Sequence, residues 1–361
     1  MFFCYNLGLM RVNNRSIIII PYFSVAPIDG SPSSLEYIMS KILKWGILGT
    51  GMIARKFAGE IVKAYPGCLL AAGSRRKESA EAFAMEFGCT GYADYEEVLA
   101  EPDVQAVYIA LPNGLHHEWS IKATEAGKHV LCEKPIASNA REAKEMFEVA
   151  DRTGRTLIEA FMYRTHPAIR DLIQRVTGGE IGQVRLIRTN FSFERDIDPS
   201  DARYHPSQAG GSLMDVGCYC TNLCRALTGQ EPSEISVIAH KHESGVDDYA
   251  VGLLSFENNA LATFTCGMTV KNEWSTFIAG TDGQIKIENP WFCNGTFDII
   301  RPQGLERIEV PATLGSYAQE AEAFTAAVLG DAPPWTTRED TIGNMNTLDQ
   351  LRKNAGIPFP E

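Results

Sequence analysis

One short stretch does most to limit the fold. Residues 42–54 read ILKWGILGTGMIA: an apolar run, then Gly49, Gly51 and Ala54 in G-x-G-x-x-A spacing at the start of a helical pattern. An apolar strand of this kind is covered on both faces, and a helix following it within a few residues supplies one cover. The spacing adds a chemical constraint. Its first glycine permits a tight turn, its second lets a pyrophosphate approach the backbone, and the small third residue keeps helix and strand close. The helix N-terminus then presents unpaired N–H groups to an anion. Gly49, Gly51, Met52, Ile53 and Ala54 are therefore candidate dinucleotide-binding residues. A tight turn that binds nothing is the alternative.

The same grammar repeats. CLLAAGS, VQAVYIAL, HVLCE and TLIEAFMYR read as strands, and ESAEAFAMEFG, HEWSIKATEAG and AREAKEMFEVADRTG as the helices between them. Short apolar strands alternating with helices predict an α/β fold with a doubly wound parallel sheet, a Rossmann domain over residues 39–164. After about Thr165 the pattern changes. One helix, PAIRDLIQRVTGG, leads to a long alternating strand, QVRLIRTNFSF, and then to strands with little helix between them. This predicts a C-terminal α+β domain, residues 165–361, with an open, mostly antiparallel sheet. Gly280 to Gly283 (GTDG) reads as a hairpin turn. The final helices are YAQEAEAFTAAVLG and IGNMNTLDQLRKNAG. Residues 1–38 show no comparable period and are expected to be a disordered or dispensable extension.

Cofactor choice is read after the second strand. An NAD-selective site places Asp or Glu there, against the ribose 2′-hydroxyl. Here Ser74, Arg75 and Arg76 stand instead. Arginine pairs bidentately with a 2′-phosphate that a carboxylate would repel, so NADP is the expected cofactor. Two arginines solvating a helix start is the alternative.

In a doubly wound sheet, ligands lie beyond the C-terminal ends of the strands. LPNGLH and EKP fall at such ends. Asn113 and His116 are expected near the nicotinamide, with Glu133 and Lys134 entering the same crevice. In GGSLMDVGCYCTNLCRAL, Asp215 and Tyr219 are four residues apart on one helix face, while Leu213, Val216, Cys220, Leu223 and Leu227 mark another. A carboxylate and a phenol near a helix start point to a polar pocket, and a buried tyrosine with a satisfied hydroxyl is the alternative.

Charge and cysteine usage narrow the class. With 361 residues and a net charge of −12, the chain is a poor partner for nucleic acid or an anionic membrane. Nine cysteines without a C-x-x-C pair fit free thiols in a reducing, cytoplasmic setting. Cys218, Cys220 and Cys224 lack an evident fourth ligand, so no metal is expected. No apolar run reaches the ~20 residues of a membrane helix. Arg11 and Arg15 before SIIIIPYFSVA faintly suggest a secretory signal, but Pro21 interrupts it and no small-residue cleavage site follows.

Taken together, GILGTGMIA, EKP, EAFMYRTHP and GGSLMDVGCY resemble the Gfo/Idh/MocA oxidoreductase family, over nearly everything from Met39 to Glu361. The chain looks most like the branch of dimeric dihydrodiol dehydrogenases and NADP-dependent D-xylose 1-dehydrogenases, because Tyr219 stands where much of the family carries a histidine. The resemblance implies hydride transfer between NADP and a hydroxyl or carbonyl of a sugar, cyclic polyol or trans-dihydrodiol. It implies Lys134 and Tyr219 as the acid–base pair and a homodimer formed through the second sheet; Asp215, on the same helix face as Tyr219, is the third catalytic candidate. A free tyrosine has a pKa of ~10, so the Lys134 ammonium is expected to lower it. Tyr163, Arg164 and His166 are expected to line the substrate cleft with Tyr219. A glucose–fructose type enzyme that retains its nucleotide, and a regulator that senses dinucleotide without turnover, remain as alternatives. Retention of both Lys134 and Tyr219 argues against the regulator.

Overall fold

The computed structural model describes residues 42–359. The expectation for residues 1–38 lies outside them. Six strands form a wholly parallel sheet: β1 (Trp45–Leu48), β2 (Leu69–Gly73), β3 (Thr90–Tyr92), β4 (Ala106–Ile109), β5 (His129–Glu133) and β6 (Leu157–Ala160). Their spatial order is β3-β2-β1-β4-β5-β6. Every residue of β1, β4 and β6 is buried, as strands covered on both faces must be. Helix α1 (Met52–Ala64) supplies part of that cover by burying Ala54, Phe57, Ala58 and Ile61, an i, i+3, i+4, i+7 set. Phe57 stacks on Tyr108 of β4 at 3.8 Å between ring centroids.

The strand order reverses between β1 and β4. The connections after these two strands therefore diverge, and leave a crevice beyond their C-terminal ends. The Gly49–Gly51 turn and residues 110–113 flank that crevice.

Two elements carried no sequence signal: β3 and α3 (Tyr95–Ala100), which follows α2 (Lys77–Phe87). Three and six residues are too few to establish a period. The stretch TLIEAFMYR is strand only as far as Ala160, because Met162–Thr165 coil into a 3₁₀ turn. Helices α4 (His116–Glu125), α5 (Ala140–Thr153) and α6 (Pro167–Thr177) complete this part of the chain.

The second sheet has eight strands: β7 (Val184–Ser192), β8 (Pro232–Lys241), β9 (Asp247–Phe256), β10 (Leu261–Gly267), β11 (Thr276–Gly280), β12 (Gln284–Ile287), β13 (Thr296–Arg301) and β14 (Gly304–Glu309). Their order is β14-β13-β12-β11-β7-β10-β9-β8. All neighbours are antiparallel except β7 and β10, so the sheet is mixed. The GTDG segment is the β11–β12 hairpin, where Gly280 N–H donates to the Gly283 carbonyl at 2.9 Å. Along β10, Ala262, Phe264 and Cys266 are buried and Leu261 is exposed, the period-2 alternation of a sheet covered on one face.

A π-helical turn (Leu213–Gly217) and α7 (Cys218–Thr228) lie on the covered face, and α8 (Ser316–Leu329) and α9 (Arg338–Ala355) end the chain. Both final helices return to the first half of the chain, α8 to α1 and α9 to α5. Glu60 of α1 accepts from Tyr317 and Ala318 N–H at 2.8 and 3.1 Å, capping α8 from another element. Phe324 of α8 packs on Trp45 of β1, 5.2 Å between centroids. Among the described residues no helix is long and apolar enough to cross a membrane.

Candidate active site

A cavity of about 710 Å³ opens between the C-terminal edge of the first sheet and the covered face of the second. Gly51, Met52, Ile53 and Asn113 line one side, Phe191, Phe193 and Trp274 another, and Glu133, Lys134, Asp215 and Tyr219 lie between them.

The glycine turn fits a pyrophosphate. Gly49 has φ +100°, and a Cβ there would stand 2.5 Å from the Ala110 carbonyl oxygen. A Cβ at Gly51 would meet nothing within 4 Å, so that glycine keeps open a space next to the helix start. No side chain caps α1 and its first turn holds no acid, which leaves its N–H groups to an anionic ligand. Met52 and Ile53 line the cavity, whereas Ala54 is fully buried between helix and sheet. Past β2, Ser74 is buried and its hydroxyl accepts from Arg76 N–H at 3.3 Å, while Arg75 and Arg76 are exposed. These residues present no carboxylate to repel a 2′-phosphate.

Lys134 leaves the end of β5 and reaches the π-helical turn. Its Nζ donates to the Asp215 carbonyl oxygen at 2.7 Å and to Asp215 Oδ1 at 3.0 Å. Arg203 Nε donates to Asp215 Oδ2 at 2.8 Å, and its Nη1 to both Asp201 oxygens at 3.2 Å. One carboxylate is thus held between two cations. Burial opposes ionisation of Asp215, but Lys134 and Arg203 outweigh it and hold the carboxyl well below the usual range. Burial also works against the Lys134 ammonium, and Asp215 overrides it, raising the lysine above its ordinary value. Glu133 is raised, chiefly by burial; its carboxylate accepts from the Tyr108 hydroxyl and, at 3.2 Å, from Lys134 N–H.

Tyr219 departs from expectation. Its hydroxyl points to Met162 Sδ at 3.8 Å, and Lys134 Nζ lies over the ring, 5.0 Å from its centroid. Burial, followed by the charge of Glu133, pushes the phenol well above 10. The ammonium expected to acidify the phenol is paired with Asp215 instead, so Tyr219 rests as a neutral donor.

Four other expected site residues face inward, and none lines the cavity. His116 is fully buried, with Nδ1 and Nε2 each 2.8 Å from a carbonyl oxygen, of Pro135 and of Leu111. Burial pushes its imidazole down to about 4, so it acts as a neutral brace behind the β4 and β5 loops. The Tyr163 hydroxyl donates to Asn222 Oδ1. Arg164 donates to Asn222 at 2.9 Å, to Asp340 at 3.2 Å and to the Trp335 carbonyl at 3.2 Å. His166 caps α6, its Nδ1 accepting from Ala168 N–H at 3.1 Å. The 3₁₀ turn after β6 directs Tyr163 and Arg164 into the seam with α7 and α9. Asn113 does reach the cavity, and its Nδ2 donates to the Ala209 carbonyl at 3.0 Å.

Sequence reasoning missed Arg203, Asp201 and the aromatic wall. Phe191 lies in β7 and Phe193 just beyond its end, two positions apart, the spacing that puts strand residues on one face. Arg203 sits in a loop without a period and gives no such signal.

Residues 43–161 match the family model for an oxidoreductase family with an NAD-binding Rossmann fold, and residues 169–286 match the Gfo/Idh/MocA C-terminal domain. The chain belongs to the Gfo/Idh/MocA oxidoreductase family. Among Gfo/Idh/MocA relatives, it is 34% identical over 317 residues to D-xylose 1-dehydrogenase (NADP(+)) 2 of Haloferax volcanii, covering 87% of this chain and 97% of that one. It is also 34% identical over 332 residues to trans-1,2-dihydrobenzene-1,2-diol dehydrogenase of Mus musculus, covering 88% and 98%. A 3-ketoreductase from Actinomadura kijaniata, solved with NADP and TDP-benzene, superposes with a TM-score of 0.79 at 28% identity, covering 87% of this chain and 98% of that one.

Proposed function

We propose that this chain is an NADP-dependent dehydrogenase acting on a hydroxyl or carbonyl of a sugar, cyclic polyol or trans-dihydrodiol. The observation that carries this reading is the Lys134–Asp215–Arg203 arrangement in a cavity bounded by the open Gly51 turn. Bound NADP(H) accepts or supplies the hydride. The Gly49–Gly51 turn and the α1 N-terminus would hold its pyrophosphate, and Ser74, Arg75 and Arg76 its 2′-phosphate.

Lys134 carries the proton. As an ammonium it donates to the oxygen of a carbonyl being reduced; as an amine it takes the proton from an alcohol being oxidised. Asp215 holds Nζ in place, and Arg203 keeps Asp215 ionised. Tyr219, a neutral phenol on the same wall, donates a hydrogen bond to the reacting oxygen once its weak contact with Met162 is exchanged. Phe191, Phe193 and Trp274 offer an apolar surface to the carbon face of a ring. Of the cations lining the cavity, Arg203 pairs with Asp215 and Arg195 with Asp201, while Lys56 Nζ lies over the Phe292 ring.

We also infer a homodimer. The outer face of the second sheet carries Ile238, Val251, Leu253 and Leu261, which are 83%, 48%, 56% and 54% exposed on adjacent strands. Such an apolar stripe calls for cover. The cysteines described are all unpaired, which suits a reducing cytoplasm.

The test is a turnover screen of sugars, cyclic polyols and trans-dihydrodiols with NADP and NAD. Turnover of at least one class, faster with NADP, is expected. Nucleotide binding without turnover of any would favour the sensing regulator.

A further inference from the structure

A glutamate stands in the middle of a fully buried strand. Glu159 of β6 is 0% exposed and pairs in register with Cys132 of β5. Its Oε1 accepts from Ile136 N–H at 3.0 Å. Pro135 has no N–H, so Ile136 is the first main-chain donor after Lys134. The loop is also fastened by the Glu133 carboxylate, which accepts from Lys134 N–H, by the Pro135 carbonyl, held by His116, and by the Ile136 carbonyl, which accepts from the Cys132 thiol at 3.7 Å. A buried carboxyl is a costly acceptor for one amide, since an uncharged side chain would serve the same bond.

We propose that Glu159 is a positioning residue for Lys134: its carboxyl fixes the segment that leaves Lys134 and so holds the lysine against Asp215. This rests on Lys134 as the proton carrier. The surroundings make the anchor sensitive to pH. Oε2 has no hydrogen-bond partner, and Thr341, whose hydroxyl also lacks one, faces it. The other groups acting on it are the Asp340 carboxylate, the Arg225 guanidinium, and the Cys132 and Cys218 thiols. Arg225 is already bonded to Asp340 and Glu231, so it offers little compensation. Burial pushes Glu159 up to about 8, and it is a neutral acid at pH 7. Above that value the carboxylate forms, and it accepts from Ile136 N–H more strongly than the neutral acid does, which tightens its hold on the segment leaving Lys134.

The test compares Glu159→Leu and Glu159→Gln with wild type. The leucine variant loses the acceptor, and its kcat should fall roughly ten- to a hundred-fold, the scale of a small misplacement of a reacting group. NADPH affinity, followed by fluorescence, should stay within about two-fold. The glutamine variant keeps the acceptor but cannot ionise. It should recover most of the lost kcat, and the ratio of its kcat to that of wild type should fall above about pH 8, where only wild type gains the stronger anionic acceptor. A purely structural role would lower the melting temperature and leave that ratio flat. A leucine variant with wild-type kcat would overturn the proposal, as would a flat ratio, which decides the matter if the leucine variant does not fold. Lys134→Met separates the two failures. If it retains turnover, the assignment of Lys134 falls and this proposal with it; if it loses turnover while the Glu159 variants behave as wild type, this proposal falls alone.

Discussion

At the scale of single residues, charge pairing decides the roles. Lys134 rests as an ammonium because Asp215 overrides the cost of burying it, which suits it to protonate a carbonyl. Oxidation of an alcohol needs the amine, so that rate should climb with pH toward the raised lysine value, while carbonyl reduction should decline only on the alkaline side. Lys134→Met should remove these limbs and cut turnover by ~10² or more. Tyr219→Phe should leave the pH dependence in place and cost roughly ten-fold in rate, because the phenol donates a hydrogen bond and does not titrate. A tyrosine variant that flattened the pH profile would return the proton to the phenol. Arg75 and Arg76 govern a separate choice. Replacing both with Ala should weaken NADPH by about 1.5–3 kcal/mol, the loss of charge-assisted hydrogen bonds, and leave NADH nearly unchanged in a fluorescence titration. Lys134, Asp215 and the glycines were legible in the sequence because each sits beside a strand end or a helix start. His116, Tyr163 and Arg164 were misread because direction is not written locally: Arg164 turns inward to meet Asp340, 176 positions later.

At the scale of elements, the loop carrying Lys134 is framed by a helix with its own fastening. The Asn139 side chain caps α5 by accepting from Glu142 N–H at 3.0 Å, and Glu142 accepts from Ser138 N–H at 3.0 Å. From α9, Arg352 reaches the Ser138 carbonyl at 2.9 Å and Asp349 accepts from Ala140 N–H at 2.9 Å. The reciprocal pair is a capping box with its parts displaced by one residue. Asn139→Ala should cost about 1 kcal/mol in denaturant unfolding and leave kcat within two-fold, because α9 still holds the helix start. The principal strands and helices were readable from apolar runs, glycine stops and period. β3 and α3 were not, being shorter than a period can register. The π-helical turn was also hidden, because five residues show no period that separates it from the α-helix it leads into.

At the scale of the whole molecule, two sheets of different character share one cavity, and the second presents an apolar outer stripe. Leu253→Asp should shift the protein from dimer to monomer in light scattering at micromolar concentration. A wild-type mass that is already monomeric would dismiss the dimer.

The contact between Trp45 and Phe324 has a consequence for how the protein is made. The first strand leaves the ribosome long before α8 exists, so the part of the first sheet that α8 covers stays exposed until nearly the whole chain has been translated. Non-local closure of this kind is slow and leaves apolar surface exposed meanwhile. A chain ended at Leu314 should therefore show hydrogen exchange in β1 far faster than the full protein. The early half of the molecule is, in effect, held in an unfinished state that only the last helices can seal, and its yield in a cell should depend on chaperones that shield nascent chains.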